Sequence, residues 1–266
     1  MKRTTKRKLT DAILYAVLVL AVVLAGALID WSAVKANFFD PAGWKRGGNW
    51  GDLITIGVKN TIVYTLVAFV FGFGLAIFLA LMKLSPVAPY RWLATGYIEF
   101  FRGLPALIVI LVMAFGVPIA FNWQPPGGLV GAGLIGLILV AGAYMAETLR
   151  AGIQAVPKGQ TEAARSLGMS AGRTTLSVVL PQALRIVIPP LTNEFVLLIK
   201  DTALLFVIGV QVGQRELTSV ARDLTTSGPT AGTSTSLIQA AILYLIITLP
   251  LTRLVALLEK RQQRAR

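Results

Sequence analysis

The sequence contains neither cysteine nor histidine. Without thiols there is no disulfide framework, no thiolate metal site and no cysteine nucleophile. Without imidazole there is no histidine general base and no histidine metal ligand. We find no other set of side chains that would form a metal site or an activated nucleophile, so the sequence predicts a chain that is not an enzyme and carries no cofactor.

Charge is also scarce. Only 14% of the 266 residues are charged, 55% are hydrophobic, and the mean hydropathy is +0.72. That value is far above what a soluble globular domain of this length carries. The alternation of polar and apolar residues that marks membrane strands is absent, and helices satisfy their backbone groups within the segment. The sequence therefore predicts an all-α integral membrane protein.

Long apolar runs are present, and there are six of them. Each is near the roughly 20 residues that a helix needs to span a hydrocarbon core. The runs cover residues 12–29, 61–82, 98–120, 129–149, 186–210 and 237–258. They predict six transmembrane helices.

Basic residues divide unevenly between the loops, which gives the orientation. If the N-terminus is cytoplasmic, 17 basic residues fall inside and six fall outside. The outer six are Lys35, Lys45, Arg46, Lys59, Arg215 and Arg222. The positive-inside rule then predicts that both termini and the segment 157–181 are cytoplasmic. The net charge of +13 is explained by this pattern, so we expect a membrane protein of the plasma membrane with no nucleic-acid partner.

The first run has two interpretations. Basic residues followed by an apolar core and Ala25-Gly26-Ala27 resemble a cleavable signal peptide. An uncleaved anchor is favoured, because 18 apolar residues are many for a signal core and enough for a short span. The orientation of the remaining chain is the same in both cases.

Two segments between the runs are predicted to lie on the outer side of the membrane. Residues 225–236 are rich in Thr, Ser and Gly and predict a flexible linker, while residues 40–52 predict an outer loop. Before the linker, four apolar residues recur at helical spacing and predict a short amphipathic helix on the outer surface or capping the bundle. They are Leu217, Val220, Ala221 and Leu224.

Two patterns within the runs bear on helix packing. Small residues recur every fourth position at Ala68, Gly72, Ala76 and Ala80. They either permit a close helix contact or reflect the abundance of Ala and Gly in membrane helices. The prolines near the start of the fifth run, at residues 181, 189 and 190, predict a kinked or late-starting helix.

Charged residues at membrane depth are costly and lie in a bundle interior or a cavity. Glu99 and Arg102 are three residues apart and can neutralise each other, and Glu147 and Arg150 repeat that spacing. Both pairs fall near the cytoplasmic interface, where a structural role is favoured.

The deepest charges are Lys200 and Asp201, beside Thr202 in the fifth run. They either line a polar pathway or join helices together, because both uses require a buried, paired charge.

The polar segment 157–181 interrupts the apolar chain and favours helix. Pro157 suits a first turn, Gly168 is placed to end one helix, and Ser170 can cap a second that runs toward residues 180–181. Two short helices joined at a glycine predict a compact docking knob. Its surface mixes small, basic and apolar residues, namely Ala163, Ala164, Ser166, Arg165 and Met169.

This segment resembles the EAA motif of the membrane subunits of ATP-binding-cassette (ABC) importers. Glu162-Ala163-Ala164 is followed after three residues by Gly168, and Val178 and Leu180-Pro181 close the pattern. The stretches 60–66, 99–110, 143–160 and 184–204 look like the polar amino acid branch, and the resemblance covers residues 56–258.

The resemblance implies a five-helix permease domain at 56–258, preceded by a basic N-terminus, an extra helix and an outer loop at 1–55 and followed by a basic tail at 259–266. Its coupling positions would be Glu162, Ala163, Ala164 and Gly168, together with Arg165. They would dock on a cytoplasmic ATPase dimer that binds ATP and Mg on a separate chain. This chain itself lacks a GxxxxGK[ST] loop.

The resemblance further implies a second permease subunit, identical or different, and an extracytoplasmic amino-acid-binding protein. Glutamate or a related acidic or amide amino acid is the favoured substrate. The alternative is an ion-coupled secondary transporter or channel, in which Lys200, Asp201 and Glu99 form an ion relay.

Overall fold

In the computed structural model, residues 3–45 and 47–264 are described. Lys2, Arg46 and Arg266, which contribute to the charge distribution above, lie outside the described residues, as does the end of the basic tail. The described parts of the chain are almost entirely helical and contain no strand, which confirms the predicted fold class.

The helices are numbered in chain order. They are α1 (Arg3–Leu28), α2 (Trp31–Phe38), α3 (Pro41–Trp44), α4 (Trp50–Asp52), α5 (Lys59–Leu84), α6 (Ala88–Gly103), α7 (Ala106–Leu111), α8 (Val117–Phe121), α9 (Gly128–Gln154), α10 (Lys158–Ser166), α11 (Ala171–Thr174), α12 (Leu180–Asp201), α13 (Leu217–Leu224) and α14 (Thr235–Arg264). Wide, π-helical turns at Leu53–Val58, Val112–Gly116 and Thr175–Val179 join the helices on either side of them without a break. Tighter, 3-10 helical turns form Thr202–Ile208 and Val212–Gln214.

Four stretches of helix in the described residues are long and apolar enough to cross a membrane: Thr10–Leu28, Trp50–Leu84, Gly128–Gln154 and Thr235–Gln262. The third predicted run is not one straight helix. It is divided between Ala88–Gly103 and Ala106–Phe121, which meet at 104°. The bend falls at Pro105, which lacks an N–H and forces the preceding residue out of the helical region.

The fifth predicted run corresponds to α12, which is too polar to pass as an apolar span by composition. α12 lies against α9 and α14 through buried apolar residues, while Arg185 and Lys200 are exposed and Glu194 and Asp201 are partly buried. A late start is wrong, because α12 begins at Leu180 and contains both Pro189 and Pro190.

The stripe of small residues on α5 is a helix contact. Ala68, Gly72, Ala76 and Ala80 are all buried, and α5 packs along α9. A Cβ at Gly72 would lie 2.9 Å from the Cε of Met145. Small side chains therefore allow the close approach of these two helices.

The end of the bundle that the charge distribution predicts to be outer is capped by α13. Its four apolar residues are buried and pack against Leu53, Ala240 and Leu243. The predicted amphipathic helix is thus confirmed in its capping form. α1, in contrast, has no buried residue along its apolar span and does not contribute to the core.

The segment 225–236 is not the flexible linker that its composition predicts. Thr230 and Thr235 are buried, and Thr230 Oγ1 accepts a hydrogen bond of 2.9 Å from Asn49 Nδ2. Asn49 Nδ2 also donates to Gln239 Oε1 (2.8 Å). The Nε2 of Gln239 in turn donates to the carbonyl of Gly43 (2.9 Å). The many hydroxyls are used as hydrogen-bonding groups with the outer loop, which composition alone does not reveal.

Candidate functional site

The segment 157–181 begins with α10, whose two ends are set by local sequence. The carbonyl of Pro157 accepts a hydrogen bond from the Gln160 N–H (3.0 Å), and the helix starts directly after it. At the other end, the Gly168 N–H donates to the Arg165 carbonyl (3.0 Å) and the Met169 N–H donates to the Ala164 carbonyl (3.2 Å). These two bonds form a Schellman motif, so the predicted end of the helix at Gly168 is confirmed.

Gly168 is required by its backbone angle and not by close packing. Its φ is +83°, in the left-handed region that glycine adopts without strain. A Cβ at this position would have no atom of this chain within 4 Å. A close approach of two helices therefore does not account for this glycine.

The second helix does not stand alone. Ser170 caps α11 by accepting from the Arg173 N–H at 3.4 Å. α11 then passes through the wide turn Thr175–Val179 directly into α12, with Pro181 in the first turn of that helix. The knob is therefore one short helix attached through a glycine to the extended end of a membrane helix, instead of two separate short helices.

The motif residues divide between an exposed face and an inner face. Glu162, Ala163 and Gly168 are exposed, whereas Ala164 is buried on the side that contacts the turn Thr175–Val179. Arg165 is exposed, and its Nη1 donates to the Met169 carbonyl at 2.7 Å. Arg165 thus reinforces the end of α10, while Glu162 and Ala163 form part of its exposed face.

Glu147 is the centre of an ion cluster between α5 and α9. Lys83 Nζ lies 3.0 Å from its Oε2, and Arg150 Nε donates to the same oxygen at 3.0 Å. Arg150 Nη2 contacts Oε1 and Nη1 contacts Gln154. The pairing of Glu147 with Arg150 is confirmed, whereas Lys83 comes from a distant part of the sequence that spacing cannot connect.

The predicted pairing of Glu99 with Arg102 is not formed among the described residues. Both side chains are exposed. The guanidinium of Arg102 lies over the ring of Tyr144, 5.4 Å from its centre. Arg102 therefore forms a cation–π contact with Tyr144 instead of the ion pair with Glu99 that the spacing predicts.

A cavity of about 250 Å³ lies between α7, α9 and α12. Two carboxylates, of Glu194 and Asp201, line it together with Tyr144 and apolar side chains. Leu104 and Ala106 line its edge on either side of the bend at Pro105, so the break between α6 and α7 shapes this cavity. Asp201 thus lines a largely apolar cavity together with a second carboxylate, which is compatible with the pathway prediction for it.

The residues on either side of Asp201 in the sequence do not line the cavity. Lys200 is exposed and does not line the cavity. Thr202 is fully buried and its Oγ1 donates to the Ile199 carbonyl at 2.7 Å, so it closes the end of α12. The sequence reasoning missed Glu194. Its spacing of seven residues from Asp201, about two helical turns, places both on one face and is the signal that was available.

The fold is that of a helical membrane protein with an exposed polar segment at 157–181 and an internal cavity. Residues 72–264 match the family described as binding-protein-dependent transport system inner membrane component. The chain belongs to this family, and the suspected relationship to ABC importer permeases is confirmed.

Relatives agree with this assignment. The chain is 37% identical to the probable glutamine ABC transporter permease protein GlnM of Bacillus subtilis (strain 168), over 79% of this chain and 93% of that protein. It is 33% identical to the L-cystine transport system permease protein TcyB of the same organism, over 92% and 96% of the two chains. A crystal structure of an amino acid ABC transporter with histidines matches with a TM-score of 0.72 and 36% identity, over 80% of this chain and 95% of that chain.

Proposed function

We propose that this chain is the permease subunit of an amino acid ABC importer and that α10 is the element that couples it to the ATPase. The observation that carries this proposal is the exposed EAA helix held by a Schellman motif on the extended end of α12. α12 also lines the cavity, so one continuous stretch of helix links the docking surface to the transport pathway. A rigid connection of this kind transmits movement of a soluble partner to membrane helices.

The proposed assembly follows from this arrangement. Two permease subunits, of this chain alone or of this chain and a different one, form the pathway at residues 56–258. A cytoplasmic ATPase dimer binds ATP and Mg and contacts Glu162, Ala163 and Gly168. An extracytoplasmic binding protein delivers the amino acid, and both termini are cytoplasmic. The names of the relatives, which are permease proteins of amino acid transporters, support the substrate class.

The charges of the cavity bear on the substrate. The two carboxylates that line the cavity, of Glu194 and Asp201, attract the ammonium group that every amino acid carries. The positive charge of Arg102 also attracts the carboxylate of Glu194. A second negative charge on the substrate side chain would be repelled. Within the predicted group of acidic and amide amino acids, we therefore favour an amide such as glutamine over glutamate.

Purification and reconstitution test the proposal. A tagged chain extracted from membranes is expected to bring down a P-loop ATPase subunit, and liposomes containing the complex are expected to take up glutamine only with internal ATP and external binding protein. Unlabelled glutamine should compete better than glutamate. Uptake driven by an ion gradient without ATP would favour the secondary transporter and contradict the importer.

A further inference from the structure

Two neighbouring cavities form a groove beside α10, between the start of α12 and the end of α14. The smaller cavity, of about 250 Å³, is lined by Arg185, Ile188, Pro189, Leu258, Arg261 and Gln262. The larger, of about 780 Å³, shares Arg185 and Gln262 and adds Gln160 and Gln182. Gln262 Nε2 donates to the Arg185 carbonyl and joins the two helices at this point. The groove is therefore a continuous, built feature and not a gap between unconnected elements.

The charge of the groove is of one sign. Two arginines line it, and no Asp or Glu is among the residues that line either cavity. Glu259 precedes Arg261 on α14, but it does not line the groove. In the described parts of the chain, neither Arg185 nor Arg261 takes part in an ion pair. The groove thus offers two guanidinium groups, which favour planar oxyanions such as phosphate and carboxylate.

The remainder of the smaller cavity is apolar. Ile188, Pro189 and Leu258 form its wall on the membrane side of the arginines. Exposed apolar side chains continue this surface along both helices, including Leu184 on α12 and Leu254 on α14. A ligand that fits this surface carries an anionic group at one end and hydrocarbon at the other. Basic pockets between membrane helices on the cytoplasmic side bind anionic lipid headgroups in this way.

We propose that the groove binds the phosphate headgroup of an anionic phospholipid of the inner leaflet, with its acyl chains along α12 and α14. Pro157 and Gln160 also line the larger cavity, so the bound headgroup lies against the base of α10. The lipid would then hold the coupling helix in its position relative to α12 and α14. The proposal rests on the cytoplasmic placement of this face, which is part of the proposed function and is tested separately by the recovery of the ATPase.

Native mass spectrometry of the assembled transporter, from nanodiscs of equal parts phosphatidylglycerol and phosphatidylcholine, tests the proposal. We expect the wild-type complex to retain phosphatidylglycerol preferentially. The double variant Arg185→Gln with Arg261→Gln is expected to bind it about thirtyfold more weakly, or about 2 kcal/mol at 1.4 kcal/mol per factor of ten. The matched control is Arg253→Gln with Lys260→Gln, which removes the same charge from exposed positions of α14 outside the groove.

Four results would overturn the proposal, of which three concern the assembled transporter alone. These are equal retention of the two lipids by the wild-type complex, equal loss in both double variants, and displacement of the retained lipid by an excess of inorganic phosphate. The last result would mean that the arginines bind a free anion and that the apolar wall contributes nothing. Absence of lipid from the complex with the ATPase, but not from the chain without it, would show that the ATPase covers the groove and would also overturn it.

Discussion

Polar side chains are buried at one end of the bundle and exposed at the other. At the predicted outer end, which α13 caps, Glu216 and Gln239 are fully buried and their side chains are hydrogen-bonded within the chain. In the segment 157–181, Glu162 and Ala163 lie on an exposed face of α10. The buried polar side chains beneath α13 find their hydrogen-bond partners within the chain, whereas the exposed face of α10 is free to contact a partner. Substitutions at the outer end should therefore affect stability, and those in α10 should affect transport.

The largest expected effect is on transport, from Gly168→Val. The φ of +83° costs an L-residue about 1–2 kcal/mol, more for a β-branched one, so the Schellman motif should be lost and α10 misplaced. We expect uptake to fall to background while membrane insertion is retained, because a Cβ at this position has no atom of this chain within 4 Å. Uptake in liposomes and the yield of folded protein check this.

Gly172→Val is the matched control for this change. Gly172 lies in α11 of the same segment, has an ordinary backbone angle and is equally free of neighbours within 4 Å. Uptake by this variant should remain close to wild type. Wild-type uptake by Gly168→Val would contradict the coupling role.

The next effect is on stability, from Glu216→Ala in the outer cap. The carboxylate caps α13 by accepting from the N–H groups of Thr218 (2.6 Å) and Ser219 (2.7 Å), and it also accepts from Ser219 Oγ and the Tyr244 hydroxyl. Removing it leaves these donors buried without a partner, at a cost of about 2–3 kcal/mol. Thermal unfolding of the purified protein should show a clear decrease in midpoint.

Asp30→Ala is the control for burial. Asp30 caps α2 with the same pattern, accepting from the N–H groups of Ser32 and Ala33 and from the Ser32 hydroxyl, but it is exposed. Water can replace these bonds, so the decrease in midpoint should be much smaller. An equal decrease in the two variants would show that burial of the outer cap is not what makes its polar residues important.

A third effect concerns the cavity between α7, α9 and α12. Asp201→Ala is expected to impair transport, because it removes a carboxylate that lines the proposed substrate cavity, while Lys200→Ala should be nearly neutral since Lys200 does not line the cavity. The dependence of uptake rate on substrate concentration separates loss of binding from loss of assembly. Normal transport and assembly in Asp201→Ala would show that this charge is peripheral.

The smallest effect is a dependence on pH. Burial raises the pKa of Glu216 above its ordinary value of 4.5. The folded protein then retains a proton that the unfolded chain has already released, so the contribution of this group to stability decreases as the pH rises through the raised pKa. As the pH rises above 4.5, the unfolding midpoint of the wild type should therefore fall relative to that of Glu216→Gln. A difference that is independent of pH would contradict a buried, titrating carboxylate.

The parts that the sequence predicts are those determined by neighbouring residues. The end of α10 at Gly168 and the cap of α11 by Ser170 depend on a few adjacent positions. The pairing of Glu147 with Arg150 depends on the spacing within one helix. The apolar stripe of α13 predicts its buried face for the same reason.

The parts that the sequence does not predict depend on distant contacts. Lys83 reaches Glu147 from another helix, and Asn49 meets Gln239 across the outer cap. Composition describes the segment 225–236 as a linker because it cannot show the partners of its hydroxyls. Pro105 was visible in the third run, but hydropathy alone averages over a single proline and does not report the bend that it produces.

The central claim is that α10 is the surface on which the ATPase docks, and the absence of native cysteine makes a direct test possible. A single Ala163→Cys substitution places a thiol on the exposed face of α10, and Ser227→Cys places one on the exposed outer side. After labelling of these thiols with a short photo-activated cross-linker and illumination of the assembled transporter, the account predicts a cross-linked product with the ATPase subunit from Ala163→Cys and none from Ser227→Cys. No product from Ala163→Cys under conditions where the complex is intact, or an equal product from both, would contradict it.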